Sequence, residues 1–216
     1  MIRIARFDTS RFAFDAALRA ILDVGDLTRM QSDVRPPPDW SIYKAMEHSA
    51  LYRRLTRALL GEEGRHFRSL YHHFISEEIA LLHPRPFLYQ ACPTVRLHFR
   101  DAPGAERFHR DIDYGHDPRE VNYCLAVTAM FGANAIWIES APGANDHAPL
   151  ELEAGEYARF DGANCSHGTR RNTTRATRVS FDFRVLDAAV GSAPREISES
   201  DPPERLDARI MARCAI

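Results

Sequence analysis

The sequence predicts a mainly β protein in which a helical N-terminal layer packs against a jelly-roll β-barrel. Apolar residues before Pro84 recur at helical spacing. After Pro93 the period changes to two residues, and the short strand-like runs that follow are separated by turns rather than helices. A chain of 216 residues with 44% hydrophobic residues suits one domain. We therefore predict a single domain over residues 1–216, with a helical layer at 1–92, a β core at 93–186 and a C-terminal extension at 187–216.

Three helical segments are expected in the N-terminal layer. In the first, Ser10 is a suitable N-cap and Gly25 a suitable stop, and the apolar residues between them fall on one face. The second runs from Ser41 to Gly61, after a run of three prolines. The third ends before Pro84. Each segment has one apolar face, which is expected to pack against the β core.

Five strands are expected in the β core. The clearest contains Val95, Leu97 and Phe99, which alternate with polar residues. The other four are expected at 121–128, 135–139, 156–160 and 178–185. The mouth of such a jelly roll commonly holds a small ligand or a metal. The extension that follows is expected to be a loose tail with a short helix from Pro203 onward, and it could serve as the arm of a homodimer.

Charge and cysteine usage restrict the partners and the compartment. A formal net charge of -2 gives no field that would gather nucleic acid or an anionic membrane, so a small-molecule partner is expected. The four cysteines are isolated, which favours free thiols over a zinc ribbon. The N-terminus has neither the pattern of a signal peptide nor that of a membrane anchor. We therefore expect a cytoplasmic protein without a membrane span.

The segment from Phe108 to His116 carries the main candidate metal ligands. His109, Asp111 and Asp113 would share one side of a strand, so that one face collects a nitrogen and two carboxylates. A second histidine, His167, is expected in a turn just after a strand. Two imidazoles and one carboxylate form a facial triad that leaves three neighbouring positions open on iron(II). Asp113 competes with Asp111 for the carboxylate position.

The predicted strand at 178–185 has one uniformly polar face. Four polar side chains point one way, and the apolar side chains between them point the other: Arg178, Ser180, Asp182 and Arg184. Such a face is expected to line a wet pocket. An arginine fork binds a carboxylate through two parallel hydrogen bonds, and a neighbouring hydroxyl can supply a third.

Together these motifs carry a family resemblance over roughly the second half of the chain. An H-x-D motif, a distant histidine and an arginine eleven residues later, followed by x-Ser, resemble the signature of the Fe(II)/2-oxoglutarate-dependent dioxygenases. These enzymes share the double-stranded β-helix form of the jelly roll. The runs HRDIDYGH, NAIWIES, FDGAN and TRVSFDFRV are similar to the StrG-like proteins of streptomycin biosynthesis.

The resemblance implies a cofactor set and a reaction. It implies that His109, Asp111 and His167 bind Fe(II) as the catalytic centre. It also implies that Arg178, helped by Ser180, binds the distal carboxylate of 2-oxoglutarate, with dioxygen as the oxidant. The expected reaction is hydroxylation, or a related C–H oxidation, of a small polar metabolite such as an aminocyclitol or amino sugar in natural-product biosynthesis.

Several residues keep more than one interpretation. Asn122 is predicted to hydrogen-bond the cosubstrate or only to satisfy backbone groups. Asp113 and His116 are candidate substrate contacts, groups that orient the ligands, or ordinary turn residues. Asp182, together with Asp113 and Glu139, would place negative charge near the substrate, which would suit an amine, a guanidine or a polyhydroxylated ring better than an acid.

Two other functions fit the same fold. The first is a cupin-like isomerase or epimerase, which would use the jelly roll without dioxygen and would make no demand on Arg178. The second is a non-catalytic jelly roll that binds a metabolite through hydrogen bonds from its histidines and aspartates.

Overall fold

A computed structural model describes residues 2–105 and 107–187 and the backbone of residues 211–214. These residues form a mainly β fold with a few helices and two antiparallel sheets. The α-helices are α1 (Phe14–Leu22), α2 (Ile42–His48), α3 (Ala50–Leu60) and α4 (Arg65–Phe74). The strands are β1 (Arg3–Arg6), β2 (Phe87–Gln90), β3 (Thr94–His98), β4 (Val121–Ala126), β5 (Ile136–Ile138), β6 (Ala148–Leu150), β7 (Glu156–Phe160), β8 (His167–Thr169), β9 (Arg178–Asp187) and β10 (Met211–Cys214).

Helix α1 buries the apolar face that the sequence predicts, but its ends differ from the prediction. Ser10 does not cap it, because the Ser10 hydroxyl donates a hydrogen bond of 2.6 Å to the Asp8 carboxylate and the helix begins at Phe14. The helix ends at Asp23, which adopts a left-handed conformation with φ 56°, before Gly25 is reached. Ser10, which was expected to cap the helix, is therefore part of an Asx-type turn at Asp8 instead.

The second predicted helix is two helices, α2 and α3. Ser41 caps α2, as predicted, and its hydroxyl accepts a hydrogen bond from the Lys44 amide. Ser49 leaves the helical conformation and caps α3, accepting a hydrogen bond of 3.1 Å from the Tyr52 amide. Serine competes with the backbone in this way at helix starts, so the break lies where a cap residue is available.

The five predicted strands are confirmed as β3, β4, β5, β7 and β9. The larger sheet has the order β1-β7-β4-β9-β2-β10, and β3 also pairs with β9. The smaller sheet has the order β6-β5-β8. The sequence interpretation missed the short strands β1, β2, β6, β8 and β10, which have three or four residues each and too few alternations to show a period.

Two apolar clusters lie on opposite sides of the larger sheet. One joins the sheet to the helices, and it is rich in aromatic pairs such as Phe14 with Phe181, whose ring centroids are 4.9 Å apart. The other lies between the two sheets and contains Cys124, Ala158 and Phe160. The helices, the larger sheet and the smaller sheet thus form three successive layers.

Two further local predictions are wrong. Residues Asp111–Tyr114 form a single 3-10 turn rather than a strand, and Gly115, with φ 83°, ends the turn. Residues Met211–Cys214 form strand β10, which pairs with β2, where a helix from Pro203 was expected. The rest of the predicted extension and its role as a dimer arm lie outside the described residues. Among the residues described, no helix has both the length and the apolar character needed to cross a bilayer.

Candidate metal centre

Two histidines, His109 and His167, are joined through their backbones at strand β8 of the smaller sheet. The His109 amide donates to the His167 carbonyl at 3.0 Å, and the His167 amide donates to the His109 carbonyl at 2.9 Å. This reciprocal pair adds the segment at His109 to the edge of β8, so the two imidazoles lie side by side with centroids 4.8 Å apart. His167 is thus the first residue of a strand rather than part of a turn.

The loop before His167 is held by a buried acid. The Glu139 carboxylate, on a residue that is 2% exposed, accepts hydrogen bonds from the Ser166 amide at 2.6 Å and the Asn145 amide at 3.1 Å. The Glu139 amide donates back to the Ser166 carbonyl at 3.0 Å. Glu139 therefore positions the neighbour of His167 and does not add charge to a substrate site.

The 3-10 turn separates the two competing carboxylates. Asp111 points inward and is 2% exposed, and its amide donates to the Gly162 carbonyl at 3.0 Å. Asp113 points outward, where its carboxylate accepts hydrogen bonds from the Arg110 guanidinium at 2.8 Å and from the Arg110 amide at 3.0 Å. The turn thus gives one carboxylate to the interior and one to the surface.

His109, Asp111 and His167 form a cluster that could hold a metal ion. One ligand atom from each residue lies within 4.8 Å of the others. Asp111 Oδ1 is 4.0 Å from His109 Nε2 and 3.6 Å from His167 Nε2. Because the Cys165 carbonyl, 3.1 Å from His167 Nδ1, can only accept, His167 Nδ1 carries the proton. The lone pair on His167 Nε2 is then available to a metal.

The second oxygen of Asp111 is occupied by donors from the larger sheet. Asp111 Oδ2 accepts hydrogen bonds from Arg184 Nε at 2.8 Å and from Asn122 Nδ2 at 2.7 Å. Burial alone would raise the pKa of Asp111, but the adjacent Arg184 guanidinium and these hydrogen bonds hold it well below its ordinary value. Asp111 is therefore a carboxylate with one oxygen fixed and the other directed at the histidines.

His109 is neutral at physiological pH, as metal ligation requires. Burial lowers the pKa of His109 to about 4, and the neighbouring His167 acts in the same direction, while Asp111 opposes both. A neutral imidazole keeps the lone pair that a metal needs, so the site favours a cation over a proton.

The cluster lines a cavity of about 80 Å³ that also contains Arg178, Asp182 and Arg184 of β9. Arg178 is 2% exposed, and within the described part of the chain its Nε and Nη1 atoms have no hydrogen-bond partner. Burial lowers the pKa of Arg178 to about 10, so the guanidinium remains protonated at neutral pH. A buried cation with free donors is costly unless a ligand satisfies it.

Asp182 and Ser180, two further polar residues of β9, differ in their contacts. Asp182 accepts a hydrogen bond of 2.9 Å from Arg96 Nε, so its negative charge is matched within the cavity wall. Ser180 is fully buried, and its hydroxyl lies beside the Cys124 thiol with no nitrogen or oxygen partner among the described residues. The predicted attraction for an amine therefore loses its main support.

Three sequence candidates do not line the cavity: Ser180, Asp113 and His116. Asp113 pairs with Arg110, and His116 Nδ1 lies 2.9 Å from Glu120 Oε2; neither side chain lines the cavity. The sequence interpretation missed the contact between Arg184 and Asp111, and the place of Arg96 in the wall. The alternation of β9 correctly predicted that Arg184 lies on the polar face of the strand. The turn at Asp111, which brings Asp111 to Arg184, has no periodic pattern in the sequence.

The chain is 40% identical to the streptomycin biosynthesis protein StrG of Streptomyces griseus over 120 residues. These 120 residues are 56% of this chain and 54% of StrG. The chain is a homologue of StrG. It spans about half the length of this curated relative in the match. No profile of a known protein family matches the chain.

The fold is that of solved non-haem iron enzymes. The structure titled CytC3 with Fe(II) and alpha-ketoglutarate has a TM-score of 0.53 at 13% identity, covering 92% of this chain and 77% of that one. The non-heme monooxygenase ThoJ in complex with nickel has a TM-score of 0.50 at 16% identity, covering 85% and 73%. The alpha-ketoglutarate-dependent carbocyclase SnoK has a TM-score of 0.50 at 13% identity, covering 87% and 79%. These similarities establish the fold of the chain.

Proposed function

We propose that this protein is an Fe(II)- and 2-oxoglutarate-dependent oxygenase that hydroxylates, or otherwise oxidises at C–H, a small polar metabolite in natural-product biosynthesis. One observation carries the proposal: the His109, Asp111 and His167 cluster shares its cavity with the unsatisfied guanidinium of Arg178. Three such ligands suit iron(II), and a buried arginine fork suits a carboxylate. The homology to StrG and the folds of CytC3 and SnoK support it.

Each residue of the site has a role in this proposal. The Nε2 atoms of the two histidines and Asp111 Oδ1 would bind the ion, while Arg178, assisted by Ser180, would bind the distal carboxylate of the cosubstrate. When bound, iron(II) and 2-oxoglutarate supply the dioxygen-dependent chemistry that oxidises a C–H bond. Arg184 and Asn122 would keep Asp111 Oδ2 from the metal and so fix which oxygen ligates.

The architecture fits the same proposal. Two antiparallel sheets face each other, and the metal cluster lies at one end of the space between them. We propose that they are the two halves of a double-stranded β-helix, whose open end would be the barrel mouth. An aminocyclitol or amino sugar remains the proposed type of substrate, because StrG is a streptomycin biosynthesis protein.

Anaerobic titration of metal-free protein with iron(II) and 2-oxoglutarate tests the proposal directly. We expect the weak visible charge-transfer band of the chelate, its loss in His109→Ala and Asp111→Ala, and formation of succinate when oxygen is admitted. The Asp113→Ala variant is a matched control, since Asp113 lies outside the cavity, and it should keep the band. Folded protein that binds iron but shows no band would contradict the proposal.

The two alternative functions make different demands on Arg178. Neither a cupin-like isomerase that works without dioxygen nor a binding jelly roll gives a reason for a buried guanidinium with two free donor atoms. Turnover of a substrate without oxygen would favour the isomerase. Absence of any tightly bound transition metal would favour the binding protein.

A further inference from the structure

A second cavity, which we call the α2 cleft, lies beside the metal cavity. It has a volume of about 380 Å³, with α2 on one side, Leu97 and Phe99 of the β3 region on the other, and the segment from Gln31 to Pro36 at its rim. Sites for small molecules have volumes of roughly 300 to 1,000 Å³. The metal cavity, at about 80 Å³, is far below this range, so a substrate needs the adjoining space.

Helix α2 is the wall between the two cavities. Ile42 and Met46, one helical turn apart, line both of them, as does Leu97. Tyr43 faces only the metal cavity, whereas Ala45 faces only the cleft. Met46 is an unbranched, flexible side chain, so this wall can adapt to a ligand that extends from one cavity into the other.

The charge of the combined space is positive. Five arginines and three aspartates line the two cavities: Arg35, Arg96, Arg100, Arg178, Arg184, Asp101, Asp111 and Asp182. The arginines therefore outnumber the aspartates by two. Binding of a divalent metal and of a dicarboxylate cosubstrate would leave this excess unchanged, because their charges cancel.

Of the two surplus positive charges, one is Arg178 in the metal cavity and the other lies at the rim of the α2 cleft. Arg35 makes no ion pair with any described residue, while Arg100 pairs loosely with Asp101 at 3.4 Å. The floor below them is apolar, since Leu97 is 1% and Phe99 4% exposed. A guanidinium rim above an apolar floor fits a ring that packs its C–H face downward and presents an anionic group upward.

We propose that the α2 cleft binds the part of the substrate distal to the oxidised carbon, and that this part is a sugar or cyclitol ring carrying a phosphate or carboxylate. The inference rests on the proposed function, because it takes the metal cavity as the place of reaction. It replaces the amine preference that the sequence suggests with a preference for an anion.

Calorimetric titration of folded protein with four hexoses tests the inference: glucose 6-phosphate, glucuronate, glucosamine and glucose. We expect the better anionic probe to bind about tenfold more tightly than glucose, as a charge-assisted hydrogen bond provides. The Arg35→Gln/Arg100→Gln double variant should remove that preference. Arg57→Gln, the same charge change on the outside of α3, should keep it.

A second variant separates the cleft from the rim. Ala45→Trp fills the cleft and should abolish binding of the anionic probes, while the band with iron(II) and 2-oxoglutarate remains. A preference for phosphate over carboxylate, or the reverse, identifies the anionic group. Equal binding of all four hexoses, tighter binding of glucosamine, no binding of either anion, or unchanged binding in the double variant would overturn the inference.

The same measurements distinguish the two proposals. The parent protein could lack the visible band and still bind an anionic hexose through Arg35 and Arg100. That result would refute the oxygenase proposal and leave the α2 cleft as a binding site. A normal visible band in protein that binds neither anionic hexose would refute the inference about the α2 cleft and leave the oxygenase proposal standing.

Discussion

Alternate residues of strand β9 form two faces, and different interactions stabilise them: burial of apolar side chains on one face, and hydrogen bonds of buried charged groups on the other. Val179, Phe181 and Phe183 are fully buried in the apolar cluster that joins the larger sheet to the helices. The other face carries Arg178 and Arg184, which are also buried. Arg184 donates to the Asp111 carboxylate, whereas Nε and Nη1 of Arg178 have no hydrogen-bond partner in the part of the chain that the structure describes. The apolar face gains free energy from burial alone, whereas the polar face gains it only when partners are present.

The largest expected effect comes from breaking the apolar face. In Phe181→Ala we expect the free energy of unfolding to fall by about 3–5 kcal/mol, because Phe181 packs against Phe14, Phe67 and Tyr71. Urea denaturation measures the loss, and metal affinity below the transition should be unchanged. Leu81→Ala, at a residue that is 82% exposed, should stay within about 0.5 kcal/mol. A loss of similar size in both variants would contradict the comparison.

The next effect comes from removing a satisfied partner on the polar face. Arg184→Met leaves the Asp111 carboxylate buried without its cation, so we expect a loss of about 3 kcal/mol in unfolding free energy. We also expect metal affinity to fall roughly 10–100-fold, because Asp111 loses its orientation.

Arg96→Met is the matched control for this pair. It breaks the other arginine–aspartate contact of the cavity, whose partner Asp182 is not a candidate ligand. Stability should fall less, because that pair is more exposed, and metal affinity should stay the same. Calorimetric titration measures the metal affinity of Arg184→Met and of Arg96→Met. Equal metal affinity in the two variants would refute the role assigned to Arg184.

The third effect has the opposite sign. Arg178→Met removes a buried cation with two free donor atoms, so the ligand-free protein should keep its unfolding free energy or gain about 1–3 kcal/mol. Affinity for 2-oxoglutarate should fall by about tenfold or more. Arg178→Lys keeps the charge without the fork and should recover only part of that affinity. A clear loss of stability in ligand-free Arg178→Met would show that Arg178 is already satisfied.

Counted per histidine and per pH unit, the smallest effect is a pH dependence at the start of the polar face, where His98 pairs with Arg178 across β3 and β9. Burial, and then Arg178, lowers the pKa of His98 to about 3, and burial lowers that of His109 to about 4. Between these values and 6.5 the unfolded chain binds more protons than the folded one. Stability of metal-free protein should therefore fall as the pH drops below 6.5, by roughly 1 kcal/mol per pH unit for each histidine.

Denaturation of metal-free protein from pH 7 to pH 4 measures this slope. His98→Gln should reduce it by the share of one histidine, whereas His66→Gln, at a residue outside both cavities, should leave it unchanged. A slope that is identical in the parent and in His98→Gln would mean that His98 is not held neutral by the fold.

The sequence predicted long periodic segments well and local turns poorly. The alternation of β9 predicted which residues line the cavity, because ten residues contain enough repeats to define two faces. The H-x-D segment was predicted as a strand, since His109, Asp111 and Asp113 also alternate. Its true conformation depends on hydrogen bonds from Asp111 to Gly162 and from Arg110 to Asp113, which join distant or adjacent residues without any period.

Pairing between charged residues was the other feature that the sequence could not give. The alternation put Asp182 and Arg184 on one face but did not show that Arg96 neutralises the first or that Asp111 meets the second. Such contacts depend on the register between β3, β4 and β9, which is set by the whole sheet.

The three candidate ligands are anchored to different sheets. His109 and His167 move as one unit on the edge of the smaller sheet, while the Asp111 carboxylate is tethered to β4 and β9 of the larger sheet through Asn122 and Arg184. An ion held by all three would therefore act as a clasp across the sandwich. Binding of the ion would slow amide hydrogen exchange in both sheets at once, so the exchange rates of the two sheets would report metal occupancy.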